Sequence, residues 1–127
     1  MSRNLLALVA FVSLIASQAA GASPTGFSAG SKAFVVGEFN IKDPAAYDRF
    51  KAAIGPIVAK YGGRYLARAG RIGRFAGAAP TGLVVVIEFD SFARAAAFEQ
   101  SAENQAIAPL RRQAADSRIF IVEGVAP

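Results

Sequence analysis

Three runs in this chain are apolar on both faces of any strand they form: Phe34-Val35-Val36, Val84-Val85-Val86-Ile87 and Ile119-Phe120-Ile121-Val122. A strand with one wet face alternates apolar and polar residues, because successive side chains point to opposite sides. These runs do not alternate, so both faces of their sheet need cover. In a chain of 127 residues the helices suffice for one face only. Leaving the other wet would forgo about 1.5–3 kcal/mol for each large apolar side chain. A second copy packed sheet to sheet is the simplest cover, since most oligomers are symmetric homodimers. A homodimer is therefore the expectation.

The 54% hydrophobic content overstates the core, because the N-terminus contributes heavily to it. Met1 to Asn4 holds one cation, Arg3; Leu5 to Ile15 is almost unbroken apolar sequence; Ala16 to Ser23 is small and uncharged. This is the layout of a secretory signal peptide, with cleavage after Ala22 preferred over Ala19. The apolar run is shorter than the roughly 20 residues a membrane span needs. Residues 1–22 are thus expected to be a signal peptide, 23–31 a flexible lead-in rich in Gly, Ser, Ala and Thr, and 32–125 a single domain that is periplasmic or secreted, with no stable membrane anchor after cleavage. The chain has no Cys, so disulfides contribute nothing, and burial and a partner chain must supply stability. Removing Arg3 takes the formal charge from +5 to +4. The remaining basic residues are dispersed, and nucleic acid is not expected as a partner.

Along the domain, Lys32 to Asn40 reads as a strand. Asp43-Pro44 reads as a helix start, with Asp43 capping and Pro44 in the first turn. Tyr47, Phe50, Ile54, Ile57, Val58 and Tyr61 follow at helical spacing, with a kink expected at Gly55-Pro56. Gly62-Gly63 ends the helix, and Arg64 to Arg68 starts a second strand. Glycines then mark a loop or irregular hairpin with a short strand near Ile72 to Phe75. Leu83 to Phe89 is the strongest strand signal. Ser91 caps a helix from Phe92 to about Gln100, Ser101 caps a second segment through Gln113 in which Pro109 intrudes, and Arg118 to Glu123 is the last strand. The order β-α-β-β-α-β predicts an α+β, ferredoxin-like sandwich, an antiparallel sheet with two helical layers on one face.

Asp43-Pro44-Ala45-Ala46-Tyr47, the stretch from Lys60 to Arg68, Val85 to Phe92, and Ala114 to Arg118 running on to Val122-Glu123-Gly124 together resemble DUF1330, a bacterial family of unknown function. The matching pieces cover nearly all of Lys32 to Val125 in order. The resemblance implies a dimeric α/β barrel. Relatives in the wider superfamily include cofactor-free monooxygenases, small-molecule isomerases and haem-handling proteins, so an enzyme is plausible by analogy alone. The second helical region departs from the family. There the family often carries aromatic pairs and this chain has Phe98-Glu99 and Glu103-Asn104.

With no His and no Cys, the chain lacks the commonest general base, the thiol nucleophile and the usual transition-metal ligands. No metal and no cofactor is expected; only an unusual ligand such as Tyr could hold a haem iron. Carboxylates, arginines and tyrosines near strand ends remain. Period two puts Arg64, Leu66 and Arg68 on one face of the second strand and Tyr65 with Ala67 on the other. Glu88 shares a face with Val84 and Val86, so the face away from the helices is expected to hold Glu88 near Arg64 or Arg68, walled by Val36, Val84 and Val86. Two readings follow: an ion pair that supports the dimer or hairpin, or a polar spot that binds an anionic or carbonyl-bearing ligand, with Glu88 orienting it or acting as base. An adjacent arginine opposes the raised pKa such a base needs. Tyr47 and Tyr65 are candidate ligand contacts as well as core residues. Asp43 and Ser91 read as caps, and Asp116 as a turn cap or a partner of Arg112 or Arg118. Binding of a small, partly apolar molecule between or beside the sheets is the leading function, with a cofactor-independent enzyme and a purely structural dimer with a filled barrel as alternatives. A cavity under about 300 Å³ between the sheets would argue against a drug-sized ligand.

Overall fold

The structure, a computed structural model, describes residues 30–127. The expected signal peptide and nearly all of the lead-in lie outside these residues. The elements are β1 (Ala33–Ile41), α1 (Pro44–Lys60), β2 (Arg64–Arg68), β3 (Leu83–Phe89), α2 (Phe92–Gln100), α3 (Ala102–Ala114) and β4 (Ala115–Glu123). The strands form one sheet in the order β2-β3-β1-β4, every neighbouring pair antiparallel. This is an α+β, ferredoxin-like fold in which the second helical region is two helices. Among the described residues no helix is long and apolar enough to cross a membrane.

Local chemistry sets most boundaries. The Asp43 side chain accepts from the Ala46 amide at 3.0 Å, satisfying a free N–H of the first turn of α1. Pro56 faces solvent and α1 runs through it as one helix. At the far end Gly62 takes φ 75°, which favours glycine. Gly63 is needed for a different reason: a Cβ there would lie 2.8 Å from Val58 and 2.9 Å from the Phe89 ring. Ser91 caps α2 by accepting from the Arg94 amide. Ser101 does two jobs, donating to the Phe98 carbonyl and accepting from the Asn104 amide, so α2 ends and α3 begins on one residue.

The helices cover one face of the sheet. Val35, Ile87 and Phe89 pack there with Val58, Ala95 and Phe98, while Phe39, Phe50 and Ala115 form a second cluster reaching Tyr47 and Ile54. The Phe89 and Phe98 rings lie 5.1 Å apart. On the other face stand Phe34, Val36, Val86, Phe120 and Val122, in register across three strands, with no element of the described chain over them.

Three expectations need correction. Residues 69–82 contain no strand, and Ile72 and Phe75 are exposed; with no strand beside it, this apolar pair has nothing to hydrogen-bond in a ladder. β4 starts at Ala115, not Arg118, because α3 passes straight into it and the Ala114 carbonyl is held by the Lys42 and Asp43 amides. Asp116 neither caps nor meets Arg112 or Arg118; it pairs with Lys42 at 3.2 Å, while Arg118 pairs with Glu38.

Candidate functional site

The five candidate residues fall on opposite sides of the sheet. Tyr65 pairs with Ile87, but Ala67 pairs with Val86, so Leu66 is an extra residue and β2 is bulged there. The bulge resets the alternation. Arg64 stays on the open face, where its guanidinium donates to Glu88 at 2.9 Å. Arg68 lies opposite Val85 and turns to the helix side with Tyr65; Ala67 goes to the open side. The expected common face of Arg64 and Arg68, and the expected pairing of Tyr65 with Ala67, are therefore corrected. Glu88 is out of reach of Arg68.

On the helix side, Tyr47, Tyr65 and Arg68 come together along a partly open cavity of about 60 Å³ whose walls include Val35, Phe39, Phe50, Ile54, Val85 and Ile87. The Arg68 guanidinium stacks over the Tyr65 ring at 4.7 Å, and Arg68 belongs to none of the six ion pairs among the described residues. The Lys51 ammonium sits 5.2 Å from the Tyr47 ring centre and also pairs with Asp48. Burial pushes both phenols up from their ordinary pKa, and the Arg68 charge partly offsets this, so both remain neutral donors at physiological pH.

The cavity is also lined by Glu99, Asn104 and Arg111; the first two stand where the sequence departs from the family's aromatic pairs, but the sequence reading singles out none of the three as a site residue. The same three, with Ile119, also line an open groove of about 540 Å³ between α2, α3 and β4. They form the wall between an inner chamber and an outer vestibule. Asn104 is buried, and its amide donates to the Phe98 carbonyl at 3.2 Å and to Glu99 at 3.4 Å. Burial pushes the Glu99 carboxyl up, opposed by the Arg111 charge and then by the Asn104 hydrogen bond. The spacing held a signal. Asn104, Ala108 and Arg111 recur at helical intervals on the buried stripe of α3, and Glu99 follows Ala95 by one turn on α2. Polar residues on an otherwise apolar stripe mark the place where the core opens.

A water needs roughly 10–15 Å³ of such space, so the chamber holds a few waters or a fragment of comparable size. The vestibule is within the range of small-molecule sites. Arginines and neutral phenols can donate to an anion or a carbonyl, and Glu99 can accept from a hydroxyl or N–H. Among the described residues no group of three or more His, Cys, Asp or Glu could hold a metal ion.

None of the curated proteins matches the chain. Solved structures that share its fold include two of one protein. One is RPA0582, a protein of unknown function from Rhodopseudomonas palustris, with a TM-score of 0.59 at 16% identity over 78% of this chain and 86% of that one. The other is methylated RPA0582, with a TM-score of 0.61 at 16% identity, covering 78% and 84%. Residues 32–125 match a family described as a domain of unknown function, DUF1330. That span holds every strand and helix described above, and the chain belongs to the DUF1330 family.

Proposed function

We propose that this domain is an exported homodimer that takes a small, partly apolar molecule into the space between its helices and its sheet. One observation carries the reading: an apolar chamber inside the fold has Tyr47, Tyr65 and Arg68 along its wall and opens toward a larger groove. Apolar walls favour burial of a ligand, and a few fixed polar groups orient it. Arg68 without a carboxylate partner leaves its donors available to such a ligand. Export rests on the layout of residues 1–22, and the dimer on the row of apolar side chains across the uncovered face. A reaction in the chamber would need a base other than Glu88, which pairs with Arg64 on the other side of the sheet.

The test is a fragment screen by ligand-observed NMR on the mature protein, repeated with Ile54→Phe to fill the chamber and Arg68→Ala to remove its cation. Fragments bound by the parent should lose about tenfold or more in affinity in both variants and keep it in Arg64→Ala. Absence of any binding fragment, or binding indifferent to Ile54→Phe and Arg68→Ala in folded protein, sinks the ligand. Light scattering that shows only a single-chain mass at all concentrations sinks the dimer.

A further inference from the structure

The Nε of Arg111 is sealed from solvent and has no acceptor. Arg111 also belongs to none of the ion pairs among the described residues. A buried donor is normally paired; because no water reaches this one, a bound acceptor would come to the terminal N–H groups of the same guanidinium, whose residue lines both cavities. Glu99 faces the same wall from α2, close enough for the two charges to be felt but not in ion-pair contact. Asn104 holds Glu99 through its amide and is itself held by the Phe98 carbonyl, so the carboxylate is positioned by a buried neighbour. The local cause is Ser101. By ending α2 and starting α3 on one residue, it folds the core-facing stripes of the two helices toward each other. The guanidinium of Arg111 and the carboxylate of Glu99 thus both border the junction of chamber and groove.

We propose that Arg111, Glu99 and Asn104 form a recognition site for a small carbonyl compound carrying a hydroxyl or N–H beside its carbonyl, a hydroxy-ketone or an amide. The carbonyl oxygen accepts from a terminal N–H of Arg111, and the neighbouring hydroxyl or N–H donates to Glu99. Asn104 is the positioning residue that fixes the carboxylate. A plain ketone satisfies Arg111 and leaves Glu99 without a donor. A carboxylate brings a second negative charge against Glu99. The site is therefore selective by complementarity on one side and repulsion on the other. The inner chamber takes the carbonyl end, and substituents extend into the groove. This rests on the reading that the chamber binds small molecules, and it names which ones.

The test uses four probes of similar size: hydroxyacetone, acetamide, acetone and acetate, titrated into the mature protein. Two signals are followed by NMR, the Arg111 side-chain N–H and the Tyr65 ring. Hydroxyacetone and acetamide should shift both saturably and compete with each other, with acetone and acetate weaker by about tenfold or more, since a site built for a donor rejects the analogue lacking it. Glu99→Leu should erase the preference for hydroxyacetone over acetone. The near-isosteric Glu99→Gln should keep hydroxyacetone and admit acetate at least about tenfold better, because the repulsion is gone. Probes that move the Tyr65 ring without discrimination, or a preference that survives Glu99→Leu, overturn this site while leaving the chamber as a binding cavity. Probes that move neither signal, leaving only water between Arg111 and Glu99, overturn this site; the broader fragment screen then decides the chamber by itself.

Discussion

On the helix side of the sheet Val35, Ile87 and Phe89 are all but sealed from water, whereas on the other side Phe120 and Val122 keep 44% and 48% of their surface exposed. The charges are distributed the opposite way. The open face has Arg64 on Glu88 and Arg118 on Glu38, each at 2.9 Å. The covered side has Arg68 over an aromatic ring and Arg111 with a buried, unpartnered N–H. One face thus has satisfied charges and uncovered apolar groups; the other has covered apolar groups and cations short of acceptors. The first deficit suits a large apolar surface such as the second copy proposed above, the second a small, partly apolar molecule with polar groups to offer. This contrast is what separates the proposed docking face from the proposed binding cavity on a single sheet four strands wide.

The sharpest way to break the contrast is to remove one large side chain from each face. Phe89→Ala should lower folding stability by about 3–5 kcal/mol in urea unfolding, because its ring is fully buried against Phe98 and little can collapse into the space. Phe120→Ala should cost less than about 1 kcal/mol in protein dilute enough to be monomeric. Equal costs would mean that the open face is already covered within one chain. Next in size is association. Phe120→Asp combined with Val122→Asp should weaken dimerisation by about 3 kcal/mol or more while the circular dichroism spectrum is kept, since each would otherwise bury a large apolar group. A light-scattering dilution series checks it, and a doubly substituted protein that remains dimeric shows that the partner packs elsewhere.

Glu99 gives a smaller effect, with a sign set by its burial. Its carboxyl is pushed up, so the folded chain holds that proton more tightly than the unfolded one, whose carboxyl titrates near 4.3. The resulting stability is present below that pH and is lost as pH rises through the folded value. Asp90 and Glu103 are shifted down by Lys32 and Lys60 and act in the opposite direction, favouring the fold above the unfolded value. The difference between parent and Glu99→Gln isolates the one group. The variant should gain on the parent from pH 4 to pH 7 in thermal melts; a difference that is flat or reversed would show that Arg111 and Asn104 compensate the buried charge in full.

The sequence was legible where local chemistry decides. Asp43, Ser91 and Ser101 announce helix starts because their side chains replace missing backbone partners, and Leu83 to Phe89 announces a strand because few other structures suit a β-branched run. It was illegible where one residue changes parity or direction. Nothing in Arg64-Tyr65-Leu66-Ala67-Arg68 distinguishes a bulged strand from a regular one, and that single insertion moved Arg68 from one side of the sheet to the other. Glu99 and Asn104 were noted only as departures from the family's aromatic pairs, and the wall they form with Arg111 was missed because the helices were not read for polar residues on their buried stripes. Glu99 and Asn104 become neighbours only through the turn at Ser101.

The smallest effect bears on the same contrast from the side of the charges. The Arg64 side chain is 70% exposed and Glu88 only 18%, so in a single chain the pair is a rim interaction, and Arg64→Ala should cost about 0.2–1 kcal/mol. If a second copy covers the open face, the surrounding water is removed. Glu88 would then be left buried without its cation, and the same substitution would cost several times more at concentrations where the dimer forms. The measurement is a double-mutant cycle with Arg64→Ala and Glu88→Ala, run in urea at two protein concentrations on either side of dissociation. A coupling energy that grows with concentration ties the ion pair to the interface. One that stays small at both assigns Arg64 and Glu88 to the hairpin alone and leaves the apolar row from Phe34 to Val122 as what a partner would recognise.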